Sequence, residues 1–579
     1  MAVKRRYPVP SDIDIAQETE LLPIIDIAKK MGIKDNEIEP YGKYMAKIDY
    51  AGVLERLKNR PNGKFITVTA ITPTPLGEGK TVTSLGIGQA MAKLGVNVCN
   101  ALREPSKGPT FGIKGGACGG GYSQMLPMEN INLHFTGDIH AVETAHNLCA
   151  AAIDTSILLK NPLNIDPLSV TWPRCVDLND RALRDIIVGI GGKLNGYPRQ
   201  TGYSITVATE TAAIHALTSG LADLRKRLGR IVIGFTYDGK PVTCEDLKVA
   251  GAMTALLVDA IKPNLVQSTE NHPVICSGFP FANVAHGNNS ALASLVGLKL
   301  CDYVVSESGF GADCGFAKLM DVKLRQTPGL TVDCAVIVSS VRALKQHGGA
   351  FHMRPGMSYS KIKEFAEKEN LPALEAGCRS NLAAHINIVK SYGVNAVVAI
   401  NKFTSDTDKE VELIRKLAIE LGADDAVPHN AWGEGGEGAI DLAKAVIKAA
   451  DKPSKIKFLY SEEASIKEKI EATAKTLYGA DGVDYEPAAE TKIKLYTELG
   501  YNKLTLNMAK THLSLTHDPS ILGAPKGWRL KVRDIKACVG AGFLYPLTGN
   551  FPTMPGLSSD PAFKRVDVDL KTGRIQGLF

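Results

Sequence analysis

The chain has 579 residues, 44% of them hydrophobic and 22% charged. At roughly 100–200 residues per domain this is about three to five domain equivalents, and the balance excludes a disulfide miniprotein, wholesale disorder and a fibrous repeat. Lys and Arg number 67 against 61 Asp and Glu, a net charge of +6 that is too small for a nucleic-acid footprint.

In chain order, the basic Lys4-Arg5-Arg6 leads into an acidic, proline-containing stretch and not into a signal peptide's apolar segment. A helical leader is predicted over Ile13 to Met31. Lys64 to Ile71 alternates and is rich in β-branched residues, which predicts a strand. It breaks into Thr72-Pro-Thr-Pro-Leu-Gly-Glu-Gly-Lys-Thr81, and a helical pattern runs from Thr81 to Leu94. The strand-then-helix unit is expected again at Ser204 to Ala208 before a helix to Leu228, at Arg230 to Phe235 before a helix ending near Ile261, and at Val332 to Val338 before Val341 to Gln346. Such alternation predicts an α/β protein with a mostly parallel sheet covered on both faces.

Beyond His347-Gly-Gly349 the pattern gives a helix over Asn381 to Tyr392 and a strand over Asn395 to Ile400, with a break near Asp451 to Ser454. The remainder opens with a charged helix, Ile466 to Tyr478, and ends in a Gly/Pro/Thr-rich tail. The division expected is a nucleotide-binding P-loop domain over 1–350, then two smaller α/β domains over 351–452 and 453–579. The 11 cysteines are scattered with no Cys-x-x-Cys spacing, and no run of about eighteen apolar residues exists, so a reduced, cytoplasmic setting without a membrane segment is expected.

Glycine is over-represented, at 55 residues against a usual ~7%, and concentrates where chemistry is expected. Thr74, Pro75, Leu76, Gly77, Glu78, Gly79, Lys80 and Thr81 supply a loop between strand and helix, a lysine for the β/γ-phosphates and a hydroxyl for Mg2+. Thr74 stands where the usual pattern has its first glycine. The plain alternative is a strand-to-helix turn that happens to contain Gly-Lys-Thr.

A second block, Gly112 to Tyr122, has five glycines between 115 and 121 that would let backbone amides approach an anion, with Arg103 or Lys114 to hold a planar oxyanion. A flexible loop is the competing reading. Asp138 offers an orienting carboxylate. His134, His140 and His146 recur every six residues, a step that turns successive rings apart on a helix, so no zinc site is expected. Asn401-Lys402-Phe403-Thr404 is similar to the guanine-reading Asn-Lys-x-Asp, but Thr404 replaces the aspartate, which disfavours GTP. Phe403 and Trp432, the latter in a glycine-rich loop, could sandwich a flat heterocycle.

These strings, with Leu102-Arg-Glu-Pro-Ser106, Asn132 to His140, Asn164 to Pro167, Tyr237 to Val242, Phe281 to Gly287, Val341 to Gly349 and Thr553 to Leu557, resemble the formate–tetrahydrofolate ligase family essentially end to end. The resemblance implies the following. ATP, formate and tetrahydrofolate give 10-formyltetrahydrofolate, ADP and phosphate through formyl phosphate. Lys80 and the loop amides serve the transferred phosphoryl group, Thr81 serves Mg2+, and Arg103 holds formyl phosphate. Asp138 lies near the reacting groups, Glu104 and Asp138 are candidates for a monovalent cation (K+ or NH4+), and Phe403 and Trp432 pack on the pterin. It also implies a monofunctional, cytoplasmic homotetramer acting on small molecules, with no nucleic-acid or membrane partner. Cys118 and Ser340 depart from the family pattern conservatively, and Thr404 stands where proline is expected. The competing readings are another P-loop ligase or kinase that activates a different small carboxylate, and a non-catalytic nucleotide switch.

Overall fold

In the computed structural model, residues 4–75, 77–114, 117–281, 285–351 and 359–578 are described. A 12-stranded sheet organises the chain. Its strands are β1 (Ile38–Pro40), β2 (Ala46–Ile48), β3 (Lys64–Ala70), β4 (Val98–Leu102), β5 (Gly119–Gly120), β6 (Ser123–Leu126), β7 (Asn264–Ser268), β8 (Pro273–Cys276), β9 (Tyr303–Glu307), β10 (Cys334–Ser339), β11 (Asn395–Asn401) and β12 (Asp425–His429). The spatial order is β1-β2-β7-β8-β4-β9-β3-β10-β11-β12, with β6 paired to both β5 and β7. Every pairing from β8 to β12 is parallel; β7, β2 and β1 extend the other edge antiparallel.

The parallel strands inside the β12 edge are buried on both faces, as their near-continuous apolar runs demand. Ile66, Val68 and Ala70 of β3, with Val336 and Val338 of β10, pack beneath Ile87 and Met91 of the helix Lys80–Lys93 (α1) and Leu442 and Val446 of the helix Ile440–Ala450. Phe65, Ala335 and Ile337 point the other way, against Val296, Leu344, Ile386 and Val389. This alternation is the period of two expected of strands. The chain leaves β3 toward β4 on one side and leaves its other neighbour, β10, toward β11 and β12 on the opposite side, so the loop after β3 opens at the switch point where open α/β sheets bind ligands.

Several expected elements differ from those formed. The leader is two helices, Asp12–Glu18 and Ile24–Lys30, separated near Pro23. The strands expected near 204 and 230 do not join the large sheet. Tyr203–Ile205 pairs with Arg174–Val176, and Val232–Phe235 folds back on Pro241–Thr243 as an antiparallel hairpin. Asp238-Gly239 turns that hairpin, Gly239 with a left-handed φ of 80°. Short apolar strands of this kind read alike whichever sheet takes them. The boundary expected at 350/351 falls within the sheet, because β11 continues the parallel pairing of β10 from Cys334↔Asn395 to Ser339↔Ile400. Beyond the helix Ile440–Ala450, the C-terminal part has its own small sheets. Gly482–Tyr485 pairs with Arg529–Val532, and Phe543–Leu547 lies between Thr505–Leu506 and Asp534–Cys538. Among the described residues no helix is long and apolar enough to cross a membrane.

Candidate functional site

Two glycines bend the loop after β3, Gly77 at φ 73° and Gly79 at φ 79°, in the left-handed region that strains a residue with a side chain. A Cβ on Gly79 would also lie 2.5 Å from the amide nitrogen of Asn401, which donates to the Glu78 carbonyl at 3.0 Å. Thr74 donates its N–H and its hydroxyl to one oxygen of the buried Glu78 carboxylate, both at 2.9 Å. The loop thus closes through a side chain at the position where the usual pattern has glycine. Burial pushes the Glu78 carboxyl up against the opposing pull of Lys80 and the Thr74 bonds. Pro75 is exposed, and Leu76 lies outside the described residues.

Lys80 and Thr81 begin α1, and the end of β9 brings Glu307 to them. Thr81 donates its hydroxyl to one Glu307 oxygen at 2.6 Å, and Arg103, just past β4, donates Nη2 to the other at 2.6 Å. Only 8% of the Glu307 side chain and 14% of that of Arg103 are exposed. Burial alone would raise the Glu307 carboxyl, but Arg103, Lys80 and the two hydrogen bonds outweigh it and hold it below its ordinary range. A threonine hydroxyl at the start of a helix and an acid on the neighbouring strand are the oxygen donors that P-loop proteins offer Mg2+, so Thr81 and Glu307 fit that ion. Residue-type patterns alone pass over Glu307. The one signal for it is an apolar strand, Tyr303-Val-Val-Ser, ending in an acid beside a Gly-Lys-Thr loop.

Glu104, next to Arg103 in the chain, lies close enough to Asp138 to feel its charge. Asp138 opens the helix Asp138–Leu158 and pairs with the buried Lys47 at 2.5 Å, while Asn264 donates to its second oxygen at 2.8 Å. Glu104 is buried, and its Oε2 has no partner among the described residues. Burial first, and Asp138 second, lift its carboxyl well above the carboxylate range, against the pull of Lys47 and Lys107.

Within the glycine block, Gly119 and Gly121 are engaged by the chain itself. The Gly121 N–H donates to Asp12 of the leader at 2.7 Å, so a carboxylate of the chain itself takes that amide. A Cβ on Gly119 would lie 2.2 Å from the Ser123 carbonyl and one on Gly121 2.1 Å from the Trp432 carbonyl. These glycines permit a tight hairpin and close packing. Gly115 and Gly116 lie outside the described residues, as does the Lys114 side chain.

Trp432 lies in a short turn of helix, Ala431–Glu434, beyond β12; its side chain is 44% exposed and its carbonyl accepts from Tyr122 N–H at 2.9 Å. Phe403, just past β11, is half-buried under Arg342, whose guanidinium lies 3.7 Å from the ring centroid. Among the described residues the two rings make no contact with one another, so a sandwich is not preformed. The three histidines also separate: His134 and His140 are exposed, and His146 is buried, stacked on Trp172 with centroids 4.1 Å apart.

The family described as "Formate--tetrahydrofolate ligase" matches residues 10–579. Proteins named formate--tetrahydrofolate ligase are similar over nearly the whole length. That of Desulforamulus reducens is 58% identical over 571 residues, 99% of this chain and 100% of the relative. Those of a Roseiflexus species and of Saccharopolyspora erythraea are 52% and 49% identical over 98% of this chain and 100% of each relative.

Proposed function

The chain belongs to the formate–tetrahydrofolate ligase family, and from that premise we propose how its cleft performs the reaction. The protein is a ligase that joins formate to tetrahydrofolate with ATP. The alternative of a ligase or kinase for another carboxylate is not favoured by that membership.

The observation that carries the site assignment is the convergence of Thr81 and Arg103 on Glu307 at the ends of the central strands. Formate is a poor acyl donor because its carboxylate has no leaving group, so the first step creates one. A formate oxygen attacks the γ-phosphorus of ATP, the bond to the β-phosphate oxygen breaks, and formyl phosphate and ADP result. In phosphoryl transfer the protein mainly positions groups and neutralises charge on the γ-phosphate oxygens. Lys80 and the N–H groups of Glu78 and Gly79 do this, with α1 directing its N-terminus at the phosphates. Bound Mg2+ supplies further charge neutralisation, and Thr81 and Glu307 would hold it. Arg103 holds the planar formyl end by paired hydrogen bonds. In the second step the folate N10 attacks the formyl carbon, the carbon–oxygen bond to phosphate breaks, and the amine proton leaves to solvent or phosphate.

Phe403 and Trp432 provide apolar surface for the pterin. Asp138, tied to Lys47 and Asn264, orients the segment beside Arg103 and Glu104. A monovalent cation at Glu104 and Asp138 would share Asp138 with the Lys47 ammonium. The resemblance further supports a cytoplasmic homotetramer.

Lys80→Ala tests the phosphate role. It removes a charge from a half-buried loop with little packing, so formation of 10-formyltetrahydrofolate falls by more than tenfold, ~1.4 kcal/mol or more, while the melting curve is retained. Activity above about a tenth of wild type would reject the assignment.

A further inference from the structure

Arg342 is the second residue of the helix Val341–His347, which follows β10, and β10 lies between β3 and β11 in the sheet. Its Nη2 donates to the Gly77 carbonyl of the loop after β3 at 2.9 Å, and its guanidinium lies flat enough on Phe403, beyond β11, to stand 3.7 Å from the ring centroid. One side chain therefore spans the ends of three neighbouring strands. These two contacts are to groups with roles of their own: Gly77 turns the phosphate loop, and Phe403 is held in place by its N–H donating to Asp406 at 2.8 Å. The guanidinium covers one face of the Phe403 ring. A planar, always-charged group can stack on an aromatic ring and donate at its edge at the same time; a lysine ammonium keeps the charge and one donor but cannot stack.

We infer that Arg342 is a positioning residue for the folate half of the reaction, fixing the Phe403 ring and tying it to the phosphate loop through the Gly77 carbonyl. This rests on Phe403 being a folate platform. It makes the two half-sites parts of one element: a disturbance at Gly77 reaches Phe403 through a single side chain, without a shift of the sheet. Arg342 acts through the Gly77 carbonyl and the Phe403 ring, so its effect is expected on substrate constants more than on turnover.

The test is steady-state kinetics and melting curves of Arg342→Ala, Arg342→Lys, Phe403→Leu and the double variant Arg342→Ala/Phe403→Leu. Arg342→Ala is expected to raise the Michaelis constant for tetrahydrofolate about tenfold and that for ATP about threefold, with kcat within about threefold and the melting temperature nearly unchanged. Arg342→Lys restores the ATP constant and not the tetrahydrofolate constant. In the Phe403→Leu background the tetrahydrofolate effect of Arg342→Ala disappears. The inference is overturned if Arg342→Ala leaves both constants unchanged, if its losses follow only a lowered melting temperature, or if its tetrahydrofolate effect persists in full without the Phe403 ring. Phe403→Leu alone leaving the tetrahydrofolate constant unchanged would instead reject the platform reading, and this inference with it.

Discussion

Thr81, the second residue of α1, and Glu307, the last of β9, share a hydrogen bond of 2.6 Å in which the threonine hydroxyl donates to a nearly buried carboxylate. The bond joins the loop after β3 to the neighbouring strand and sets a hydroxyl and an acid side by side, the donor pair we propose for a nucleotide-bound Mg2+. Because Arg103 occupies the other carboxylate oxygen, a single acid links the start of α1 to the end of β4.

Glu307→Gln keeps the shape and an acceptor for Thr81 but removes the charge that balances Arg103 and Lys80. We expect kcat to fall by about a hundredfold or more, in the range set by removal of one preorganised electrostatic group, with a higher Mg2+ requirement. A magnesium titration of the variant checks this. Wild-type turnover with an unchanged Mg2+ midpoint would show that the carboxylate only supports the fold.

Arg103→Ala should weaken formate far more than ATP, because its guanidinium suits a carboxylate or an acyl phosphate while Lys80 serves the nucleotide. The expected rise in the formate constant is about tenfold to a hundredfold. ATP affinity by calorimetry should stay within about threefold. Equal losses in both would move Arg103 into the nucleotide site.

Trp432→Ala should raise the Michaelis constant for tetrahydrofolate by roughly ten- to a hundredfold, as the loss of ~1–3 kcal/mol of stacking implies. Its ring is 44% exposed and its carbonyl, which accepts from Tyr122, survives the substitution, so little stability should be lost. A lowered melting temperature with normal tetrahydrofolate dependence is the result that would sink the stacking role.

Glu210 gives a pH prediction. It faces a cavity of about 590 Å3 lined also by Trp172, Tyr496 and Tyr545, and accepts from the N–H groups of Gly540 and Ala541 at 2.7 and 3.1 Å. Burial lifts its carboxyl from an ordinary 4.5 to about 7, against those bonds and Arg230. The folded state therefore holds this proton more tightly than the unfolded chain. The stability it contributes is complete below pH 4.5 and is lost as the pH rises through about 7. Glu210→Gln cannot ionise, so its melting temperature should gain on wild type across that window and run parallel above it, a gap of about 1–3 kcal/mol at ~1.4 kcal/mol per unit, reduced by the open cavity wall. A gap that is constant with pH would contradict this.

The sequence by itself determined the elements whose signals are local. The strand ending at Ala70, the Gly-Lys-Thr turn and the helix after it are formed within a residue or two of where the pattern puts them, and Ile466–Tyr478 is the helix expected. Periodicity and glycine placement act over a few residues, so they can be read from a few residues. The family was legible for a different reason, that its motifs run along the whole chain.

Only the tertiary structure decided how these pieces combine. β11 and β12 complete the sheet that β3 begins, so the expected boundary at 350/351 runs between paired strands; which strand pairs with which is a long-range choice that apolar runs do not encode. Glu307 is 226 residues from the threonine it binds, and Asp138 is 91 from Lys47, spacings that no local motif spans. The glycines at 119 and 121 read as an anion cradle because glycine has one local meaning, backbone freedom, whereas here the neighbours that require it are the Ser123 and Trp432 carbonyls, the latter brought close only by folding.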